Sequence, residues 1–278
     1  MKILVTGCAG FIGFHLASSL IKRKYSIYGI DNLNDYYDVT LKKHRLKELK
    51  QSKNFTFKKI DISNQLNTKK IFNDNKFDIV YHLAAQAGVR DSVINPQKYF
   101  KDNIQSFFNI IECVRINKVA HFVFASSSSV YGNNKKIPYL ESLNINSPES
   151  FYAASKASNE IMARSYSKIY NIKMTGLRFF TVYGPSGRPD MALYKFTTNI
   201  LKNKKITVYN YGKHKRDFIY ISDVVAFLQN VVTKKGHNRN KFEIYNVGNN
   251  KTVKLKNFIT IIGNLLNRKP KIKFVKKQ

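Results

Sequence analysis

The sequence predicts an α/β fold, a doubly wound parallel sheet followed by a smaller C-terminal lobe. Three observations predict it. Short β-branched and aromatic runs alternate with helix-period stretches over residues 1–180. A glycine cluster, Gly7-Cys8-Ala9-Gly10-Phe11-Ile12-Gly13, separates the first strand-like run from the first helix-like one. After Phe180 the alternation gives way to loops punctuated by Gly and Pro, such as VYGPSGRPD. Regular alternation requires crossover connections, which make the strands parallel and cover both faces of the sheet with helices.

The elements follow in order. Lys2–Thr6 is a strand, and the stretch after the glycines is helical through Ile21. Tyr25–Ile30 forms the second strand and ends at Asp31. Leu41–Gln51 (LKKHRLKELKQ) has the spacing of an exposed amphipathic helix. FTFKKI is the third strand, an Asn-led helix follows near Thr68–Asn73, and DIVYHLA is the fourth strand. A single helix is expected over Gln97–Ile116, opened by Pro96, whose missing N–H costs nothing in a first turn. HFVFASS, a long helix over Tyr152–Tyr170 and a strand at Ile172–Arg178 complete the first part. This divides the chain into a nucleotide-binding domain at 1–180 and a substrate lobe over 181–278. Elements within 217–247, near Ile221–Val232 and Glu243–Val247, are expected to return to the main sheet.

Composition narrows the function classes. The 278 residues are 43% hydrophobic and 13% aromatic, which supports a large core and disfavours disorder. The net charge of +31 invites a nucleic-acid reading, but Lys is scattered through every segment, in no single stripe or tail. A solvated lysine-rich surface with weak attraction for polyanions is the expectation, with no specific nucleic-acid partner. Two cysteines, Cys8 and Cys113, exclude a disulfide scaffold and suit a reducing compartment. No apolar run approaches the ~20 residues needed to span a bilayer, and MKILVTGCAGFIG lacks the apolar core of a secretion signal. A cytoplasmic protein without metal is expected.

The glycine cluster carries the first chemistry. Gly7 permits a tight turn, Gly10 lets backbone approach a pyrophosphate, and Gly13 allows close packing of helix on strand, with Phe11 and Ile12 between them. The helix N-terminus adds unpaired N–H groups and a favourable dipole. Asp31, with Asn32 beside it, ends the next strand about 20 residues further on, where a carboxylate accepts from a ribose 2′-OH and repels a 2′-phosphate. The combination selects NAD over NADP. Asp61 and Ile62 are placed to face the adenine, and Leu83, Ala84 and Ala85 are small enough for a cofactor to lie against. Asn103 is a further cofactor-binding candidate on its helix.

The second constellation is Tyr152-Ala153-Ala154-Ser155-Lys156, which sets Tyr152 and Lys156 on one helix face at i and i+4. Tyrosine, with a pKa near 10, becomes a base when an ammonium and a pyridinium favour its anion. Lys156 also reaches a nicotinamide ribose. Ser127, at the end of the fifth strand, holds the reacting oxygen, with Ser128 beside it.

The stretches GCAGFIG, HLAAQAGVR, ASSSSVYG, YAASK, LRFFTVYGPSGRPDMA and VYNYGKHKRDFIYISD, spanning residues 1 to about 223, together resemble the extended short-chain dehydrogenase/reductases, in particular nucleotide-sugar 4-epimerases of the UDP-glucuronate type. The resemblance implies Ser127, Tyr152 and Lys156 as catalytic residues. It also implies a redox cycle in which Tyr152 takes the proton of the sugar 4-OH, the C4 hydride goes to NAD+ and returns to the other face after the keto sugar rotates. Arg188 matches the position that pairs with the sugar carboxylate, a contact suited to a planar guanidinium, and Thr181 a second donor to it. Arg216 matches a diphosphate contact, Tyr209 and Asn210 the uracil and nearby nucleotide, and Arg90 reaches substrate. Ser127 is followed by Ser128 and Ser129, so the acids of the dehydrating and decarboxylating relatives are missing. A homodimer through the 97–116 and 152–170 helices and a place in polysaccharide biosynthesis are further implications. Epimerisation of a neutral UDP-sugar and a non-catalytic NAD-binding module are the alternatives. The family generally continues with a Pro-Gly-Asp loop and a terminal helix, whereas this chain stops at Lys276-Lys277-Gln278, so a shortened substrate lobe is expected.

Overall fold

The computed structural model describes residues 1–233 and 241–276. Lys277 and Gln278, at the end of the chain, lie outside them. Among the described residues seven strands form one parallel sheet: β1 (Lys2–Thr6), β2 (Ser26–Asp31), β3 (Phe55–Lys59), β4 (Ile79–His82), β5 (His121–Ser127), β6 (Met174–Phe179) and β10 (Phe242–Val247). Their spatial order is β10-β6-β5-β4-β1-β2-β3. The chain moves outward one way from β1 to β3 and then returns to β4 on the other side of β1. The sheet therefore has its switch point between β1 and β4, where a crevice opens beyond the strand ends.

Strand alternation sends side chains to two cores. Ile3 and Val5 face α1 (Phe11–Lys22), α2 (Val39–Leu49) and α9 (Ile221–Thr233), through Leu16, Leu20, Leu46 and Leu228. Leu4 faces α3 (Gln65–Asp74) and the long helical stretch that follows β4, through Ile71, Phe107 and Ile111. Burying a residue such as Leu16 or Phe107 fully contributes about 1.5–3 kcal/mol. Two short sheets complete the second lobe. One is β7 (Thr181–Tyr183), β9 (Lys215–Tyr220) and β11 (Thr252–Lys254), and the other pairs β8 (Ile206–Tyr209) with β12 (Ile272–Val275). A separate core of Ile200, Ile206, Val208, Ile259 and Ile262 joins these strands to α8 (Ala192–Leu201) and α10 (Leu255–Leu265). β10 returns to the main sheet beside β6, and α9 lies against α1.

Two expectations are corrected. The helix after β4 is not one regular rod: α4 (Asp91–Ile94) and α5 (Pro96–Tyr99) lead into a π-helical turn at Phe100–Gln105, and only then α6 (Ser106–Ile116) begins. The turn aims two polar side chains at loops: Asn103 bonds Gln86, and Gln105 bonds the Ser63 carbonyl. α2 is likewise not an exposed helix. Lys42 and Arg45 are buried on the same stripe as Leu46 and Leu49, because their heads find acceptors beneath the helix. α7 (Phe151–Tyr170) is started by Ser150, whose Oγ accepts from the Ala153 N–H at 3.1 Å, and it ends at Asn171 in the left-handed region.

Candidate active site

The crevice at the switch point is a cavity of about 2990 Å³ running from the glycine loop across the strand ends to β8 and β9. A pocket for one small ligand is commonly about 300–1,000 Å³, so this one has room for a dinucleotide and a second nucleotide side by side. At the glycine loop, a Cβ on Gly13 would stand 2.1 Å from the Gly7 carbonyl oxygen. Gly7 itself has φ +72° and lies against Ala84 backbone. Only glycines let α1 approach this closely, and the first turn of α1 then points its free N–H groups into the crevice. Gly10, Phe11 and Ile12 line the same wall.

Asp31 closes that end. Its carboxylate accepts from the Leu33 N–H at 2.8 Å and the Ala9 N–H at 3.2 Å. Burial holds its pKa above the usual carboxylate value, against those amides and the nearby Lys42 charge. Asn32, Leu83, Ala84 and Ala85 line the crevice beside it. Asp61 and Ile62 also reach it, although the Asp61 carboxylate is already bonded to Ser63 and to Lys101 at 2.9 Å. Asn103 does not line the crevice. Its amide is taken up by the Gln86 backbone and the Ser155 hydroxyl, so it braces the loop after β4 from behind.

Halfway along, β5 and α7 bring Ser127, Tyr152 and Lys156 together. The Lys156 ammonium donates to the Ala125 carbonyl at 2.9 Å, and complete burial lowers its pKa to about 8. Burial raises the pKa of the Tyr152 phenol, while the Ser127 hydroxyl and then the Arg188 charge pull it down. Ser127 is itself fixed by the Ser129 N–H, at 3.2 Å. His82, beneath Lys156, is bonded to Thr6, and burial lowers its pKa to about 3, so it stays neutral and leaves the local charge to Lys156.

Thr181, Ser128 and Arg188 line the same crevice as Tyr152, and the Arg188 charge acts on its phenol. Arg188 gives its Nε and one Nη2 hydrogen to Asp190, which leaves the end of the guanidinium free for another carboxylate. Farther out, the Arg90 guanidinium lies 4.2 Å from the centre of the Tyr209 ring. Arg216 stands near enough that burial and the Arg90 charge lower its pKa. Arg90 and Arg216 therefore put two like charges on the lining of this end of the crevice. Asn210 is the other candidate outside the crevice lining.

The chain belongs to the NAD dependent epimerase/dehydratase family. The model of that family matches residues 3–248. Protein CapI of Staphylococcus aureus is 48% identical over 96% of this chain and 84% of its own length. UDP-glucuronate 4-epimerase 3 of Arabidopsis thaliana is 42% identical over 99% of this chain and 67% of its own. The crystal structure of UDP-glucuronic acid 4-epimerase from Bacillus cereus, in complex with UDP-glucuronic acid and NAD, superposes with a TM-score of 0.92 at 35% identity, covering 100% of this chain and 87% of that one.

Some residues of the site carry no motif. Tyr36 lines the crevice with its ring 5.9 Å from the Arg188 guanidinium, and its hydroxyl would be met by any side chain at Gly88. Lys42 reaches the Asn34 carbonyl and bears on Asp31. Beneath Ser127, Ser126 donates to Glu160, which is paired with Arg178. The available signal was positional: Lys42 and Arg45 fall in register with Leu46 and Leu49 on the buried stripe of α2.

Proposed function

We propose that this protein interconverts UDP-glucuronate and UDP-galacturonate at C4, using NAD held in the crevice. The observation that carries the reading is that Ser127, Tyr152, Lys156 and Arg188 line one crevice with the glycine loop, and that this crevice, of about 2990 Å³, has room for both nucleotides. Residues 1–180 form the cofactor lobe and 181–278 mainly the substrate lobe. The glycine loop and α1 hold the diphosphate of NAD, Asp31 its adenosine ribose and Lys156 its nicotinamide ribose. Bound NAD supplies reversible hydride acceptance at the sugar C4. Tyr152 accepts the proton of the 4-hydroxyl and gives it back to the epimeric oxygen. Ser127 holds that oxygen in line, and Lys156 stabilises the tyrosinate. Arg188, with Thr181, takes the sugar carboxylate, while Arg90 and Arg216 take the diphosphate and Tyr209 packs on the uracil.

Purified protein given UDP-glucuronate is expected to form UDP-galacturonate, followed by NMR. Arg188→Ala is expected to weaken UDP-glucuronate binding by roughly 10–100-fold, the worth of charge-assisted hydrogen bonds, and to leave UDP-glucose binding unchanged. Failure to form UDP-galacturonate, or equal loss on both sugars, sinks the assignment.

The same reading makes the protein a homodimer. Phe100, Phe108 and Ile116 on the helical stretch after β4, with Ile161 and Ile169 on α7, are large apolar side chains left exposed. They lie on the two helices that would meet a second copy. Sedimentation at micromolar concentration is expected to give twice the chain mass, and a monomer there would refute the pairing. Two buried free thiols, Cys8 and Cys113, favour the cytoplasm, and no helix among the described residues is long and apolar enough to cross a membrane.

A further inference from the structure

Arg45 is fully buried on α2, yet among the described residues no carboxylate hydrogen-bonds to it. Its Nη1 donates to the Ala9 carbonyl at 2.8 Å and the Tyr37 hydroxyl at 2.9 Å. Its Nη2 donates to the Ser186 carbonyl at 2.6 Å. Its Nε has no acceptor among the described residues. A nearby carboxylate, Asp31, feels the Arg45 charge without bonding to it. A buried guanidinium whose direct hydrogen bonds all go to neutral oxygens is costly, so the arrangement calls for a reason beyond packing.

The two carbonyls supply one. Ala9 lies inside the glycine loop, and Ser186 lies in the loop after β7, two residues before Arg188. Ser186 is held there at φ +53°, an unusual conformation for a serine. A second tie runs the same way: the His15 ring, on α1, is 3.0 Å from the Pro185 carbonyl. The 184–188 loop is thus tied to the cofactor lobe at two successive carbonyls, Pro185 and Ser186.

We infer that Arg45 is a positioning residue: by bridging Ala9 and Ser186 it fixes the 184–188 loop, and with it Arg188, against the glycine loop. This deepens the reading of Arg188 as the carboxylate-binding residue and rests on it. A displacement of about 1 Å in a positioning group is enough to cost on the order of a hundredfold. The effect should fall on the part of the substrate that Arg188 meets. It should spare the uridine and diphosphate, which Tyr209, Arg90 and Arg216 hold from elsewhere.

The test is calorimetric titration of NAD-loaded protein with UDP-glucuronate and, separately, with UDP. Arg45→Met is expected to weaken UDP-glucuronate by on the order of tenfold to a hundredfold and leave UDP within about twofold. Arg45→Lys keeps the charge but is one bond shorter and lacks the planar fork whose two nitrogens reach Ala9 and Ser186 separately, so it should show the same split, in weaker form, if the Met variant does not fold. Equal weakening of both ligands would overturn the inference in favour of a general folding role. Unchanged UDP-glucuronate affinity in the Arg45 variants, with Arg188→Ala still defective, would overturn it and leave the carboxylate reading standing. If Arg188→Ala binds UDP-glucuronate normally, both fall together.

Discussion

Tyr152→Phe is expected to lower the turnover of UDP-glucuronate by roughly 10²–10⁴-fold, the range a positioned general base contributes. The substitution removes one oxygen from a ring that stays packed against Tyr99, with centroids 6.2 Å apart, so the fold should be unaffected. The phenol is raised in pKa by burial, and what offsets this is local: Ser127 first and Arg188 second. Neither can replace the missing oxygen, since a guanidinium is already protonated and Ser127 has only an alcohol's basicity, and the Lys156 ammonium is bonded to the Ala125 carbonyl. The variant should therefore retain its cofactor and its melting temperature while losing turnover. A kcat within about tenfold of the parent protein would mean that another group moves the proton.

Arg178→Met is expected to cost about 3–5 kcal/mol of stability, read by denaturant unfolding. The Arg178–Glu160 pair lies behind β5 with side chains only 4% and 5% exposed, joined at 2.7 and 3.0 Å. Arg178 also donates to the Tyr131 hydroxyl at 2.8 Å, and Tyr131 donates to Asn246 on β10 at 2.7 Å. Removing the guanidinium leaves a carboxylate buried without its partner, which accounts for most of the cost. Adding Glu160→Gln to Arg178→Met should recover part of the loss, since the stranded charge is then gone. If the double variant is no more stable than Arg178→Met alone, the loss comes from the Tyr131 and Asn246 contacts and not from the ion pair.

What could be read beforehand follows the range of the interactions. The glycine loop and the Tyr152–Lys156 pair are local patterns, fixed by one turn or one helix face, and their side chains reach the same crevice. That the sheet is parallel and covered on both faces follows from the alternation of strands and helices. Arg45 meets Ser186, 141 residues away, and such a pairing leaves no trace in either segment alone. α2 read as a solvated helix because its stripe places Lys42 and Arg45 where apolar residues belong, and only acceptors from other loops make that burial tolerable. Asn103 was placed on the right helix, but the π turn directs it to Gln86 and Ser155. Asn210 sits next to Tyr209, yet its left-handed backbone, φ +50°, turns the chain away after Tyr209.

The wide turn at Phe100–Gln105 shifts the phase of everything beyond it. A helix with one extra residue in a single coil has two angular settings, about 100° apart, one on each side of the insertion. α5 is thereby free to present Tyr99 to the Gly88 carbonyl, while α6 presents Phe107 and Ile111 to the sheet. Deleting any one residue between 100 and 105 would restore a uniform spiral and rotate one half or the other off its target. That segment is consequently a poor place for length variation, however permissive its outward-facing positions are to changes of side chain.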